Sequence, residues 1–177
     1  MAHEVVEVVR RCEEAKETFI LDLSKCKLTQ VPDAVYHLMK NTPLIKCDLS
    51  GNVIKIISAK FSMKFNLLAE INLSRNEIAR LPDELESLES LSILNISHNS
   101  FITFPTVVFK VPKLKTLIAN DNAIVEVDTD EIDINKTLEF IDLRNNPFSR
   151  GCLKRLKNCA DGHRMVLVSE HKEDDDW

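Results

Sequence analysis

The chain has 177 residues, 44% of them apolar, with a formal charge of −5. A length of this order forms one domain with its own core, and the apolar share is ordinary for a globular protein. The charge says less about partners than it suggests, because the last eight residues, EHKEDDDW, hold five acids and one lysine, leaving −1 for the other 169. Nucleic-acid binding through a basic surface is therefore not expected.

Residues 1–17 predict an amphipathic helix, with Ala2, Val5, Val6, Val9 and Cys12 on one face and Glu4, Glu7, Arg10, Arg11 and Glu14 on the other. Its apolar face is suited to covering the open end of a stack of repeats, and its acids argue against a membrane surface. The charges fall inside and after the short valine run, which is not the order of a secretory signal, and the chain has no run of about 18 apolar residues. A cytoplasmic, intracellular chain follows as the simplest expectation.

Residues 68–91, LAEINLSRNEIARLPDELESLESL, show the unit from which the rest is built. Leu68, Ile71, Leu73, Asn76 and Ile78 follow LxxLxLxxNxL; Ile71 and Leu73 alternate as in a strand, and Leu85, Leu88 and Leu91 recur every third residue, as a helical or 3₁₀ segment requires. The asparagine slot serves as a ruler. It is filled by Cys26, Asn52, Asn76, Asn99, Asn122 and Asn146, at gaps of 26, 24, 23, 23 and 24 residues. A unit of this kind cannot bury its own apolar face and must stack on copies of itself.

This pattern resembles the leucine-rich repeat family, in its intracellular class of about 23 residues per repeat with a Leu-Pro after the asparagine. The resemblance covers roughly residues 18 to 150, as six repeats. It implies an α/β fold, a curved right-handed horseshoe solenoid with a parallel concave sheet and a helical or 3₁₀ convex side. Residues 151–169 are expected to form a C-terminal cap, with a helix over Cys152 to Cys159 and an edge strand over Met165 to Val168. The tail 170–177 is a charge run with little to bury and is expected to be disordered.

In each repeat the residues between the inward strand positions belong to the concave face. One column reads Asp22, Asp48, Asn72, Asn95, Ile118, Asp142, and the next Ser24, Ser50, Ser74, Ser97, Asn120, Arg144. Short polar side chains suit a tightly stacked sheet, so the serine ladder is assigned to the fold. The slot asparagines are structural too: an amide offers both donors and an acceptor to the backbone as it turns out of each strand.

Chemistry beyond binding has little support. Asp128, Asp130, Asp133 and Glu139 outline a calcium loop, but Asp133 stands where glycine is required. His3, His37, His98, His163 and His171 are scattered, and no phosphate loop or nucleophile motif is present, so no catalytic residue, metal or cofactor is assigned. The N-x-S/T triplets at Asn72, Asn95 and Asn135 arise from repeat composition. Among the five cysteines, Cys26 and Cys47 fill inward slots as small hydrophobes, and Cys152 and Cys159 lack the Cys-x-Cys spacing of an extracellular cap, so free thiols are expected.

The expected function is that of a monomeric, non-enzymatic protein-interaction module without nucleic-acid or membrane binding; the alternative is a structural or assembly-chaperone role through self-association. The resemblance implies a scaffold, adaptor or regulatory subunit, some of the family touching small GTPases or phosphatases. The candidate contact surface lies on the C-terminal half of the concave face. Its centre is Ile93, Ile118 and Phe140, bordered by Glu70, Arg75, Asn95, His98, Asp121, Asp142 and Arg144, an apolar centre with a charged rim.

Overall fold

The computed structural model describes residues 2–160 and 162–170. Seven short strands form one sheet in chain order: β1 (Ile20–Asp22), β2 (Lys46–Asp48), β3 (Glu70–Asn72), β4 (Ile93–Asn95), β5 (Thr116–Ile118), β6 (Phe140–Asp142) and β7 (Met165–Leu167). Every pairing is parallel. Parallel neighbours need a crossover, and each repeat supplies one on the convex side. These are α2 (Asp33–Leu38), α3 (Ala59–Lys64), two 3₁₀ turns at Asp83–Ser87 and Thr106–Lys110, α4 (Thr129–Ile134) and α5 (Arg150–Asn158), while α1 (Ala2–Thr18) precedes β1.

The strands are short because each repeat offers only two alternating inward positions. Those positions, Leu21 and Leu23 through Ile141 and Leu143, are buried in every repeat, together with leading residues such as Leu68, Leu91 and Leu114. The three-residue spacing of Leu85, Leu88 and Leu91 matches three residues per turn, and Asp83–Ser87 is accordingly 3₁₀. Pro82 (φ −71°) and Pro105 (φ −76°) stand at the entry to the two 3₁₀ turns, where the missing N–H costs nothing. Ser58 and Asp128 take that place before α3 and α4, and the Asp128 carboxylate accepts the Asp130 N–H at 3.0 Å.

Between repeats the asparagines do what their chemistry allows. The Asn76 Oδ1 accepts the Ile54 N–H of the preceding repeat at 3.0 Å, while its Nδ2 donates to the Leu49 carbonyl at 2.9 Å and to the Leu73 carbonyl of its own repeat at 3.0 Å. Asn52, Asn99, Asn122 and Asn146 repeat the arrangement. Just before each slot the backbone is left-handed: Lys25, Gly51, Arg75, His98, Asp121 and Asn145 have φ between 52° and 66°. Only one of these six is glycine; the ladder on either side holds the others in a conformation that costs roughly 1–2 kcal/mol each.

α1 packs against β1 through a face rotated from the expected one and sharing Cys12 with it. Val8, Cys12 and Ala15 are buried, whereas Val5 and Val6 are 64% and 68% exposed. Val8, Cys12 and Ala15 follow helical spacing along the buried face, and Arg11 goes with it: its Nη1 donates at 3.0 Å to both the Asp22 and the Ser24 carbonyls. At the other end α5 starts at Arg150, two residues before expectation, because the Ser149 hydroxyl caps it by accepting the Cys152 N–H. The strand β7 then adds to the sheet beside β6. The expected disorder of the acidic tail concerns residues 171–177, which lie outside the described residues. All five cysteines are free and buried.

Ion pairs cross most junctions between repeats. Asp33 of the first meets Lys60 of the second, Lys46 and Lys55 of the second meet Glu70 and Glu77 of the third, and Glu86 of the third meets Lys110 of the fourth.

Candidate protein-binding face

The register of the sheet turns the outward strand residues into columns. One runs Ile20, Lys46, Glu70, Ile93, Thr116, Phe140 and Met165; the next runs Asp22, Asp48, Asn72, Asn95, Ile118, Asp142 and Leu167. Neighbouring strands lie about 4.8 Å apart, so Ile93 and Phe140 flank Thr116 in the first column while Ile118 stands beside Thr116 in the second. β7 extends the patch. Met165, 56% exposed, follows Phe140, and Leu167 follows Asp142. The cap strand lies edge to edge with β6 and leaves Phe140 uncovered, half-buried between Thr116 and Met165.

The second column explains what is unusual about Ile118. At Asp22, Asp48, Asn72, Asn95 and Asp142 the side-chain oxygen accepts the backbone N–H two residues on, at 2.8–3.1 Å, an Asx turn that ends each strand. Isoleucine has no acceptor for this bond. The fifth repeat thus gives up a bond that the other five keep, and places an apolar side chain beside Ile93 and Phe140.

The bordering residues are mostly engaged with one another. Lys46 reaches Glu70 at 2.7 Å. Arg144 forks onto Asp142, with Nε 3.0 Å from Oδ1 and Nη2 2.6 Å from Oδ2, and Asp142 is buried to 4% exposure. That carboxylate holds Arg144 and the end of β6, and is not itself a contact surface. Asn95 is spent likewise, accepting from both the backbone N–H and the hydroxyl of Ser97. Arg75, His98 and Asp121 occupy the left-handed positions at the end of the sheet, with His98 3.5 Å from Asp121. Burial raises the Asp121 pKa, but hydrogen bonds from Asn120 and Asn145 and the nearby His98 and Arg144 outweigh it, and the carboxyl stays below its ordinary value. Ser74 and Ser97 are buried, in keeping with a structural serine ladder. The face is therefore an apolar strip across β4–β7 with a border whose charges are largely paired within the chain.

Sequence reasoning missed Met165 and Leu167 as members of this face. The ruler could have found them, since Met165 lies 25 residues after Phe140, close to the 24 that separate Thr116 from Phe140.

Parallel three-residue strands, a cross-repeat asparagine ladder and short convex segments define the fold as a leucine-rich repeat solenoid. Leucine-rich repeat-containing protein 20 of Mus musculus is 34% identical over 93 residues, 50% of either chain, and its Homo sapiens counterpart 33% identical over 95 residues, 51% of this chain and 52% of that one. The match spans about half the length of these curated relatives. Tubulin-specific chaperone E of Xenopus laevis is 30% identical over 128 residues, 70% of this chain and 24% of its own. No family model matches. Among solved structures, the TLR13–ssRNA13 complex superposes with a TM-score of 0.67 at 22% identity, over 89% of this chain and 23% of that one. The leucine-rich repeat domain of APL1B gives 0.63 at 18%, over 82% and 40%. At these identities the likeness is one of fold.

Proposed function

We propose that this chain is a non-enzymatic protein-interaction module, a scaffold, adaptor or regulatory subunit working inside the cell, and that it holds its partner on the concave face of β4–β7. The observation that carries this reading is Ile118. It forgoes the strand-ending bond kept by the Asp or Asn of the other repeats, and it does so where Ile93, Phe140 and Met165 already stand on the face. Apolar centres with polar borders characterise protein contact surfaces. Nucleic acid fits this face less well, because two of its few cations, Lys46 and Arg144, are already bound to Glu70 and Asp142.

The test is Ile118→Asp. The new carboxylate can accept the Asn120 N–H as its counterparts do elsewhere, so the variant should keep the parent's circular-dichroism spectrum and melt no lower. Proximity labelling or pull-down with the parent should enrich one partner, and the variant should lose it. Equal capture by both proteins would place the contact elsewhere. A collapsed melting point would make Ile118 a core residue.

A further inference from the structure

The two edges of the sheet are treated differently. At β1, most of the outward backbone groups are occupied: the Asp22 and Ser24 carbonyls accept from Arg11, the Ser24 N–H donates to the Asp22 carboxylate, and the Ile20 N–H donates to the Thr18 hydroxyl. At β7, the Met165 N–H donates to the Glu139 carbonyl and the Leu167 carbonyl accepts the Leu143 N–H, both across to β6. Alternation along a strand then turns the N–H and C=O of Val166 away from the sheet. Among the described residues none bonds to them. Beside this edge the chain leaves Leu153, Val166 and Val168 only partly buried and Met165 exposed. A solenoid end of this kind is a template for another strand.

We propose that the occupant is a second copy of this chain, the two β7 strands pairing antiparallel about Val166 to make one continuous sheet. Val166 placed opposite itself satisfies both outward groups at once, and a closed two-fold pair is the commonest way for a chain to meet its own copy. In this register residue 164 faces residue 168 of the other copy, and Met165 faces Leu167, so the apolar strips of the two concave faces meet at the seam. Charge favours the same occupant. Helix α5 carries Arg150, Lys154, Arg155 and Lys157 and no acid, whereas the chain from Glu170 onward is acidic. The inference is independent of what binds the concave face.

Sedimentation velocity of the full chain over a roughly hundredfold concentration range tests it. The mass is expected to rise from 20.2 kDa toward twice that value, added salt to lower the dimer fraction, and the Val166 amide to exchange more slowly as dimer forms. Val166→Pro removes an N–H that β6 does not use. Met165→Lys puts a charge at an exposed seam position. Each should weaken dimerisation at least about tenfold, and Met165→Lys, being on the surface, should leave monomer melting unchanged. A single-copy mass throughout the range, or a dimer that survives both substitutions, overturns the proposal. So does a Val166 amide equally protected at every concentration, which would mean that the chain's own C-terminal residues occupy the edge.

Discussion

The Arg11 guanidinium lies 3.0 Å from the Ser24 carbonyl, joining the first helix to the outer edge of the first strand. A second Arg11 bond reaches the Asp22 carbonyl, and Glu7 steadies the guanidinium from one turn earlier at 2.7 Å. The Asp22 and Ser24 carbonyls take from a helix the donors that Asp48 and Ser50 take from the Leu23 and Lys25 N–H groups of the preceding repeat, so removal of residues 1–15 exposes both a polar edge and the apolar faces of Leu21 and Leu23. That truncation is expected to lower the melting point and the solubility. Intact values for both would show that α1 does not cap the stack.

Acid should loosen the same joint. Hydrogen bonds from Arg10, then Arg11, bring the Glu7 pKa from 4.5 down to about 2. A folded-state pKa below the unfolded one means stability that is present above about pH 4.5 and lost as the pH falls toward 2. Glu7→Gln is therefore expected to melt below the parent at neutral pH, with the two melting curves converging through that window. A gap that persists at pH 2 would show that the glutamate acts through packing and not through its charge.

Asn99 donates to the Leu73 carbonyl at 2.9 Å and to the Ile96 carbonyl at 3.1 Å, and accepts the Ile78 N–H at 2.9 Å. Replacing it by alanine strands these groups in two repeats at once, at about 1–3 kcal/mol for each one left unpaired. Chemical denaturation should show a loss of at least that size in unfolding free energy, read as a lower midpoint at unchanged slope. A variant as stable as the parent would mean that water replaces the amide without cost.

The left-handed column gives a paired comparison. Gly51 has φ +66°, and a Cβ there would sit 3.1 Å from the Lys25 Cγ, so Gly51→Ala is expected to lose about 1–2 kcal/mol. His98, at φ 52°, already bears that strain. His98→Gly relieves it while adding freedom to the unfolded chain, and stability is expected to stay within about 1 kcal/mol of the parent. Equal losses at both positions would contradict a backbone origin.

Ser62 on α3 is fully buried and its hydroxyl has no hydrogen-bond partner among the described residues. Alanine removes the unpaired group and suits a helix better, so Ser62→Ala is expected to gain about 1 kcal/mol, or roughly 2–4 °C in melting point. A lower melting point would show that the hydroxyl is satisfied in solution.

The stack was legible in the sequence because burial acts at every copy: the first inward strand slot recurs, as at Ile71, Leu94 and Leu117, and its spacing carries the register. The face of α1 was only partly legible: Val5, Val6 and Val9 point to one side, whereas the buried face is that of Val8, Cys12 and Ala15, with Arg11 bonded to the first strand beside it. The left-handed column was likewise only partly legible: Gly51, and more weakly Asp121 and Asn145, carry a signal, while Lys25, Arg75 and His98 are held there by their neighbours. The apolar centre of the contact face could be read from Ile93, Ile118 and Phe140. Its extension to Met165 and Leu167 lay in the spacing from Phe140 and not in the motif, which stops after Asn146, and the engagement of Asp142 by Arg144 had no signal in the pattern.

Across the first four repeats the bridging charges do not share one column: Asp33 and Lys60 stand at the start of α2 and α3, Glu86 and Lys110 near the end of the two 3₁₀ turns, with Lys46 and Lys55 facing Glu70 and Glu77 between them. Excising the second repeat alone would set Asp33 against Asp83 and Glu84, acid on acid, and leave Glu70 and Glu77 without Lys46 and Lys55. Each exposed pair contributes at most about 1 kcal/mol, so the pairs are a bias summed over junctions. They make each junction specific to its own two neighbours, and the repeats of such an array are not interchangeable.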